Sequence, residues 1–276
     1  MIRLIACDLD GTLMGEGQRI TPAVRAAVAE AQAAGVQVTV ATGRMFAATV
    51  PFARELGITA PLICYQGGWI QAPDDPQPRF RRTLPRPIAG RVLEASARLG
   101  WHTVLYADGR IFLRELQESP AFYDALLGED WAIVEGWETV LRRHQVDKVL
   151  FVAEAEAIPA MEAQLRRWVG EAATVVRSHA RFVEVVPAGV DKGRGLAWLA
   201  ASLNIPREAV MAIGDRENDL PMLRWAGLGV AMGNAPAQVK AAADWIAPPV
   251  EADGAAMAIR RVLQEGEDVR ADTSLP

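Results

Sequence analysis

The sequence predicts an α/β protein in which a doubly wound parallel sheet carries a separate, inserted α+β module. Strand and helix signals alternate at both ends of the chain, as parallel strands joined by crossover helices require. The middle, from about Thr83 to Pro187, reads instead as hairpins with packed helices. The chain has 276 residues, 51% apolar and 23% charged, enough for two ordinary globular domains. The expected division is a core of residues 1–82 and 188–276 and an insert of residues 83–187.

Leu4 to Cys7 is a continuous apolar run, as in a strand buried on both faces. Thr21-Pro22 opens a helix, with Thr21 as cap and Pro22 in the first turn, and Gly35 ends it. Val36 to Val40 is a second strand, followed by Thr42-Gly43 and a helix toward Leu56. Leu62 to Tyr65 is a third, ending at Gly67-Gly68. After the insert, a helix spans about Gly195 to Leu203, and Ala209 to Ile213 is a strand ended by Gly214-Asp215. A short helix over Asp219 to Trp225, a strand over Leu228 to Ala231, and helices near Pro236–Ala243 and Ala255–Leu263 complete the series. From Gly266 onward the chain lacks a hydrophobic period, and a frayed tail is expected.

Within the insert, residues 103–107 and 110–114 flank Asp108-Gly109, a hairpin turn signal. Val149 to Val152 is a strand, Ala155 to Val169 a helix, and residues 174–177 and 182–185 a second hairpin. No internal repeat or low-complexity tract is present.

The composition excludes several function classes. The net charge is −5, so no chain-wide basic field attracts nucleic acid or anionic lipid. No apolar run approaches the ~20 residues of a membrane helix. Asp8 and Asp10 interrupt the apolar start too early for a secretory signal, so a cytoplasmic protein is expected. Cys7 and Cys64 lie in apolar runs without metal spacing and read as buried thiols.

Four stretches can carry chemistry. Asp8-Leu9-Asp10-Gly11-Thr12 follows the first strand, where open α/β sheets bind ligands; in extended chain both carboxylates share a face. An acidic turn is the plain alternative. Gly214-Asp215-Arg216-Glu217-Asn218-Asp219 follows a later strand and offers further carboxylates, with a cap on the next helix as the plain alternative for Asp219. If the two strands are neighbours, Asp8, Asp10 and Asp215 converge into an oxygen-ligand site suited to Mg²⁺. Thr42-Gly43-Arg44 follows the second strand and can hold phosphate oxygens, or serve only as a turn. Lys192, one of three lysines, stands at a helix start, where a cation is slightly unfavourable without a functional reason. Walker, nucleophile-elbow, zincin and dinucleotide motifs are absent, and His102, His144 and His179 have no metal spacing.

Together Asp8-Leu9-Asp10-Gly11-Thr12-Leu13, Thr42-Gly43-Arg44, Lys192-Gly193 and the 214–219 stretch resemble the four motifs of the haloacid dehalogenase-like hydrolases. Their order and the insert position resemble the Cof-type subfamily with a type IIB cap, as do Val230–Ala235 and Ala243-Asp244. Gln66-Gly67-Gly68 stands where that subfamily usually shows Asn-Gly-Ala, Asp191 replaces a common serine, and Arg216 a small residue.

The resemblance implies a Rossmann-like core with an inserted α+β cap, and a Mg²⁺-dependent phosphatase working through an aspartyl-phosphate. Asp8 would be the nucleophile and Asp10 the acid and then base. Lys192 would stabilise the transferring group, with Thr42, Gly43, Arg44 and Asn218 holding phosphate or substrate. Asp8, Asp215 and the Asp10 carbonyl would bind the metal, and Asn218 and Asp219 would support Lys192 and the metal waters. The expected partner is a small phosphorylated metabolite, a sugar phosphate or similar monoester, with no nucleic acid and no membrane, acted on by a monomer or homodimer. The insert carries 12 basic and 15 acidic residues, a poor footprint for a polyanion, and is expected to act as a lid. Tyr106 and Arg181 are the candidate residues of the insert for reading the leaving group. A phosphomutase, a metal-independent dehalogenase and a non-enzymatic binding protein are the alternatives.

Overall fold

The computed structural model describes residues 1–15, 17–119, 123 and 131–272, with side chains to residue 264. It divides into two units: Met1–Gly43, Thr49–Arg79 and Asp191–Pro276, and Arg44–Ala48 with Phe80–Val190.

In chain order the first unit begins with β1 (Leu4–Cys7), α1 (Pro22–Ala33), β2 (Gln37–Val40), α2 (Phe46–Glu55), β3 (Leu62–Cys64) and β4 (Trp69–Gln71). The first turn of α2 belongs to the second unit. That unit continues with β5 (Phe80–Arg81), α3 (Arg86–Arg98), β6 (His102–Ala107), β7 (Arg110–Leu113), β8 (Trp131–Ile133), α4 (Trp137–Arg143), β9 (Val146–Val152), α5 (Ile158–Val169), β10 (Ala173–His179) and β11 (Phe182–Pro187). The chain returns to the first unit with α6 (Lys192–Ser202), β12 (Val210–Gly214), α7 (Leu220–Trp225), β13 (Leu228–Ala231), α8 (Ala237–Lys240), β14 (Trp245–Ile246) and α9 (Gly254–Asp272).

The first unit is built on a parallel sheet of order β14-β13-β12-β1-β2. Every residue of β1 is buried, as its unbroken apolar run requires. Cys7 pairs with Ile213 of β12 and with Val40 of β2, so three strands end side by side. Asp8, Thr42 and Asp215 follow those ends. Thr21 caps α1 as expected, its Oγ1 accepting from Val24 N at 3.2 Å; α6 begins at Lys192, earlier than the expected Gly195, because Asp191 Oδ1 accepts from Arg194 N at 2.8 Å and caps it there.

Some expectations are corrected. The third strand does not extend the parallel sheet as a full member. Ala41 and Ile63 form one parallel bridge, after which β3 pairs antiparallel with β4. The 236–243 helix shortens to Ala237–Lys240, and a two-residue β14 follows it. The final helix continues past Gly266 to Asp272, since Gln, Glu, Arg and Ala are good helix formers that sustain it without an apolar face. Residues 273–276 of the expected tail lie outside the described residues.

The second unit holds a six-stranded sheet of order β10-β11-β9-β6-β7-β8. Asp108 and Gly109, with φ of 50° and 70°, make the predicted β6–β7 turn. Leu105, Phe112, Val149, Phe151, Val183 and Val185 build one core with Val92 and Leu93 of α3 and Leu165 of α5. Strand alternation puts Tyr106, Lys148 and Glu184 on the opposite face. There Lys148 Nζ donates to Glu184 Oε2 at 2.9 Å and lies 4.5 Å from the Tyr106 ring centre, all three side chains being buried. At the turn end of the sheet, Arg81 bridges Asp108 and Asp147.

Removing one partner of a buried ion pair leaves the other charge uncompensated, at a cost of about 3–5 kcal/mol. Glu184→Ala is therefore expected to destabilise the protein by roughly that amount in urea unfolding. Lys148→Met combined with Glu184→Leu is expected to recover most of the loss; a double variant as unstable as the single one would show that the pair's charge is not the cause.

Candidate active site

The candidate site lies wholly in the first unit, at the ends of β1, β2 and β12. Asp8 is the first residue beyond β1 and stays tied to the sheet, its N–H donating to Ile213 O at 2.9 Å. Its carboxylate is buried. Lys192, the first residue of α6, sends its Nζ between two acids, 2.6 Å from Asp8 Oδ1 and 2.6 Å from Asp219 Oδ1. Asp219 uses its other oxygen to accept from the backbone N–H groups of Asp215 and Arg216, each at 2.9 Å. It thereby fixes the turn after β12 and orients Lys192.

Asp215 completes the arrangement. Thr12 Oγ1 donates to its Oδ1 at 3.3 Å, and Asn234 Nδ2 to its Oδ2 at 3.3 Å. Asn234 Nδ2 also reaches Gly11 O at 2.9 Å. Gly11 has φ +87°, and a Cβ there would lie 2.3 Å from Asp215 Oδ2, so backbone conformation and carboxylate proximity both call for glycine.

The charges are strongly coupled. Burial pushes the Asp8 carboxyl up, Lys192 pulls it back, and Asp219, Asp215 and Asp10 push it up again; the net direction is upward. For Lys192 burial opposes the charge, but Asp219 and Asp8 outweigh it and hold the ammonium protonated. Asp215 is pushed up to about 6 by burial and by Asp219, against the pull of Arg216 and Lys192. The unneutralised acids therefore resist ionisation, and a further cation would relieve them.

Oxygens of Asp8, Asp215 and Asp219 lie within 4.8 Å of one another. Such a hard-oxygen donor set fits Mg²⁺. Asp219 is held most tightly, by Lys192 at 2.6 Å and two backbone N–H groups at 2.9 Å, whereas the contacts to Asp215 are long, 3.3 Å each, and one Asp8 oxygen is engaged by Lys192; Asp8 and Asp215 are therefore the better-placed carboxylate donors. The side chain of Asp10, half-buried, is outside this three-carboxylate group.

The other expected residues divide. Thr42 is buried beside the end of β2, with its N–H donating to Ile63 O at 2.8 Å. Gly43 lies against the Gln66 carboxamide. Asn218 does not support Lys192: its Nδ2 donates to Gln66 Oε1 at 3.1 Å, and among the described residues Asp219 alone shares Lys192 with Asp8. Arg44 belongs to the second unit, where its charge acts on Tyr106. Arg181 is held there by Glu118 and Glu154, each at 2.9 Å, and Tyr106 is buried beside Lys148. Asp191 caps α6, the task a serine would perform equally well. Arg216 is partly exposed, its Nε 3.7 Å from Asp215 Oδ2.

Three residues had no assigned role in the sequence reading: Thr12, Gln66 and Asn234. Thr12 and Asn234 lie within motif stretches, but their shared partner Asp215 is 203 and 19 residues away, a separation that spacing does not reveal.

Among the described residues no helix is long and apolar enough to cross a membrane. A family model described as haloacid dehalogenase-like hydrolase matches residues 5–259. The HMP-PP phosphatase of Cronobacter sakazakii is 32% identical over 254 residues, covering 87% of this chain and 88% of its own. The 5-amino-6-(5-phospho-D-ribitylamino)uracil phosphatase of Bacillus subtilis is 28% identical, covering 92% and 94%. Among solved structures, a haloacid dehalogenase-like hydrolase from Bacteroides thetaiotaomicron superposes with a TM-score of 0.84 at 31% identity, over 95% of this chain and 100% of that one. The family match spans Asp8, Lys192 and Asp215, and the chain belongs to the haloacid dehalogenase-like hydrolase family.

Proposed function

We propose that this hydrolase is a Mg²⁺-dependent phosphatase of small phosphorylated metabolites, acting through a phosphoryl group carried on Asp8. The observation that carries the reading is the buried Lys192 ammonium shared by Asp8 and Asp219 with Asp215 close by. A buried nucleophile, a fixed cation and a hard-oxygen donor set are what transfer of an anionic phosphoryl group needs. The names of the relatives support the substrate class: both are phosphatases, and one acts on a phosphoribityl compound.

In the first step an Asp8 oxygen attacks phosphorus and the bond to the leaving oxygen breaks. Asp10 gives that oxygen its proton. In the second step Asp10 takes a proton from water, the water oxygen bonds to phosphorus, and the Asp8–phosphorus bond breaks. Orthophosphate leaves and Asp8 is regenerated. Lys192 stabilises the charge spread over the phosphoryl oxygens in both steps, and Asp219 keeps it aimed. The Thr42 hydroxyl and the Gly43 backbone hold the group in line with Asp8. Mg²⁺, held by the Asp8 and Asp215 carboxylates and the Asp10 carbonyl, would neutralise phosphate charge so that an anionic nucleophile can approach.

Asp8→Asn is expected to reduce turnover of an aryl phosphate to background in a protein with unchanged circular dichroism. Near-parent turnover would remove Asp8 from the chemistry.

Asp10→Ala is expected to slow single-turnover cleavage of an alkyl phosphate about 10²–10⁴-fold, and of a nitrophenyl phosphate much less, since an activated leaving group needs little protonation. Equal losses on both would take Asp10 out of the acid role.

The metal arm has a readout in stability. Because the Asp215 carboxyl is raised to about 6, its contribution to metal-free stability is complete below the ordinary aspartate range and is lost as pH rises through about 6. Asp215→Asn is expected to melt higher than the parent at pH 8 without metal, and not at pH 4. Mg²⁺ is expected to raise the melting temperature of the parent at pH 8 and not that of the variant. Equal Mg²⁺ stabilisation of both proteins would exclude Asp215 as a ligand.

A further inference from the structure

Gln66 is a buried polar side chain of the candidate site that the chemistry above leaves unused. It is 1% exposed and follows β3. Its backbone is left-handed, φ 60° and ψ 19°, directly after Tyr65 at φ 51°. Side chains other than Gly, Asn and Asp rarely occupy this region, and such strain persists where the surroundings impose it, often at functional sites. Glycine would hold the turn with less strain, so the reason for glutamine lies in its side chain.

That side chain joins two of the motif stretches. Gln66 Oε1 accepts from Asn218 Nδ2 at 3.1 Å. Gln66 Nε2 and Cδ lie 2.3 and 3.0 Å from where a Cβ on Gly43 would stand, so the carboxamide rests on the bare Gly43 Cα. The Gln66 main-chain N–H donates to Thr42 O at 3.1 Å. One residue thus holds the Thr42-Gly43 backbone by its main chain and its carboxamide, and holds Asn218 by the same carboxamide. Because the Asn218 NH₂ is committed to Gln66, its orientation is set, and Oδ1 becomes the acceptor end. That oxygen is buried and accepts no hydrogen bond among the described residues.

We propose that Gln66 is a positioning residue for phosphoryl binding: it clamps the Thr42-Gly43 backbone, which holds the phosphoryl group, against Asn218. The proposal rests on the phosphatase reading. It explains why Gly43 tolerates no side chain and why a residue poorly suited to its own backbone occupies position 66. It also gives Asn218 an indirect role, as the anchor of the Gln66 carboxamide, in place of the expected contact with Lys192.

The test uses Gln66→Gly and Gln66→Asn in the full chain. Gln66→Gly removes the carboxamide and relieves the left-handed backbone, so a residue important only for folding predicts no separate loss of phosphate binding. Inorganic phosphate binding in Mg²⁺ is measured by calorimetry, KM and kcat with an aryl phosphate, and melting by circular dichroism. For Gln66→Gly we expect phosphate Kd and KM to rise at least about tenfold, as misplacement of a positioning group commonly does. Its kcat should fall by less than KM rises, and its melting temperature should stay close to the parent's. Gln66→Asn keeps a shorter carboxamide and tolerates the backbone, so it should fall between parent and Gln66→Gly and serves if the glycine variant folds poorly. Parent-like phosphate affinity in both variants would overturn the proposal while leaving the phosphatase reading intact. A parent protein that binds no phosphate and hydrolyses no aryl phosphate would overturn both.

Discussion

The site depends on a buried ammonium held between two buried carboxylates. Lys192 sits 2.6 Å from both Asp8 and Asp219, and none of the three is appreciably exposed. Removing such charges from water costs several kcal/mol per ion, and only close, multiply hydrogen-bonded partners offset it. Asp219 provides that offset through geometry as well as charge, because its second oxygen is pinned by two backbone N–H groups. Even so, the cluster has more carboxylate than cation. The surplus appears as the upward displacement of Asp8 and Asp215, and it makes the site a receptor for further positive charge.

The fold serves this interaction by bringing distant segments together. Leu4–Cys7 pairs with both Gln37–Val40 and Val210–Gly214, so residues about 200 apart in sequence meet at one end of the sheet. Strands with fully buried residues provide the rigid base on which strand-end side chains can be held to hydrogen-bonding accuracy. Tight backbone approaches do the finer work. Gly11 admits the Asp215 carboxylate and Gly43 admits the Gln66 carboxamide, so in both places an absent side chain is filled by a polar group of another motif.

Much of this was legible in the residues. The apolar runs of β1 and β12 signalled buried parallel strands, and the carboxylates directly after them signalled candidate ligands; that the two strands are neighbours was left open by the sequence and comes from the structure. The odd placement of Lys192 at a helix start was informative because an unfavourable dipole contact implied a stronger partner, and Asp8 and Asp219 are those partners. What was not legible has physical causes. Trp131–Ile133 and Trp245–Ile246 are too short to show periodicity, and they are strands through their neighbours alone. The partner of Asn218 lies 152 residues away and depends on a left-handed turn that local propensity disfavours.

The central claim is that Asp8 itself carries the phosphoryl group. Rapid acid quench of the protein during turnover of an aryl phosphate, followed by peptide mass spectrometry, tests it directly. The account predicts a peptide containing Asp8 that is heavier by one phosphoryl group, formed before steady state and lost as substrate is consumed. Full turnover with no phosphorylated peptide at any quench time, or with the phosphoryl group on another residue, would contradict it.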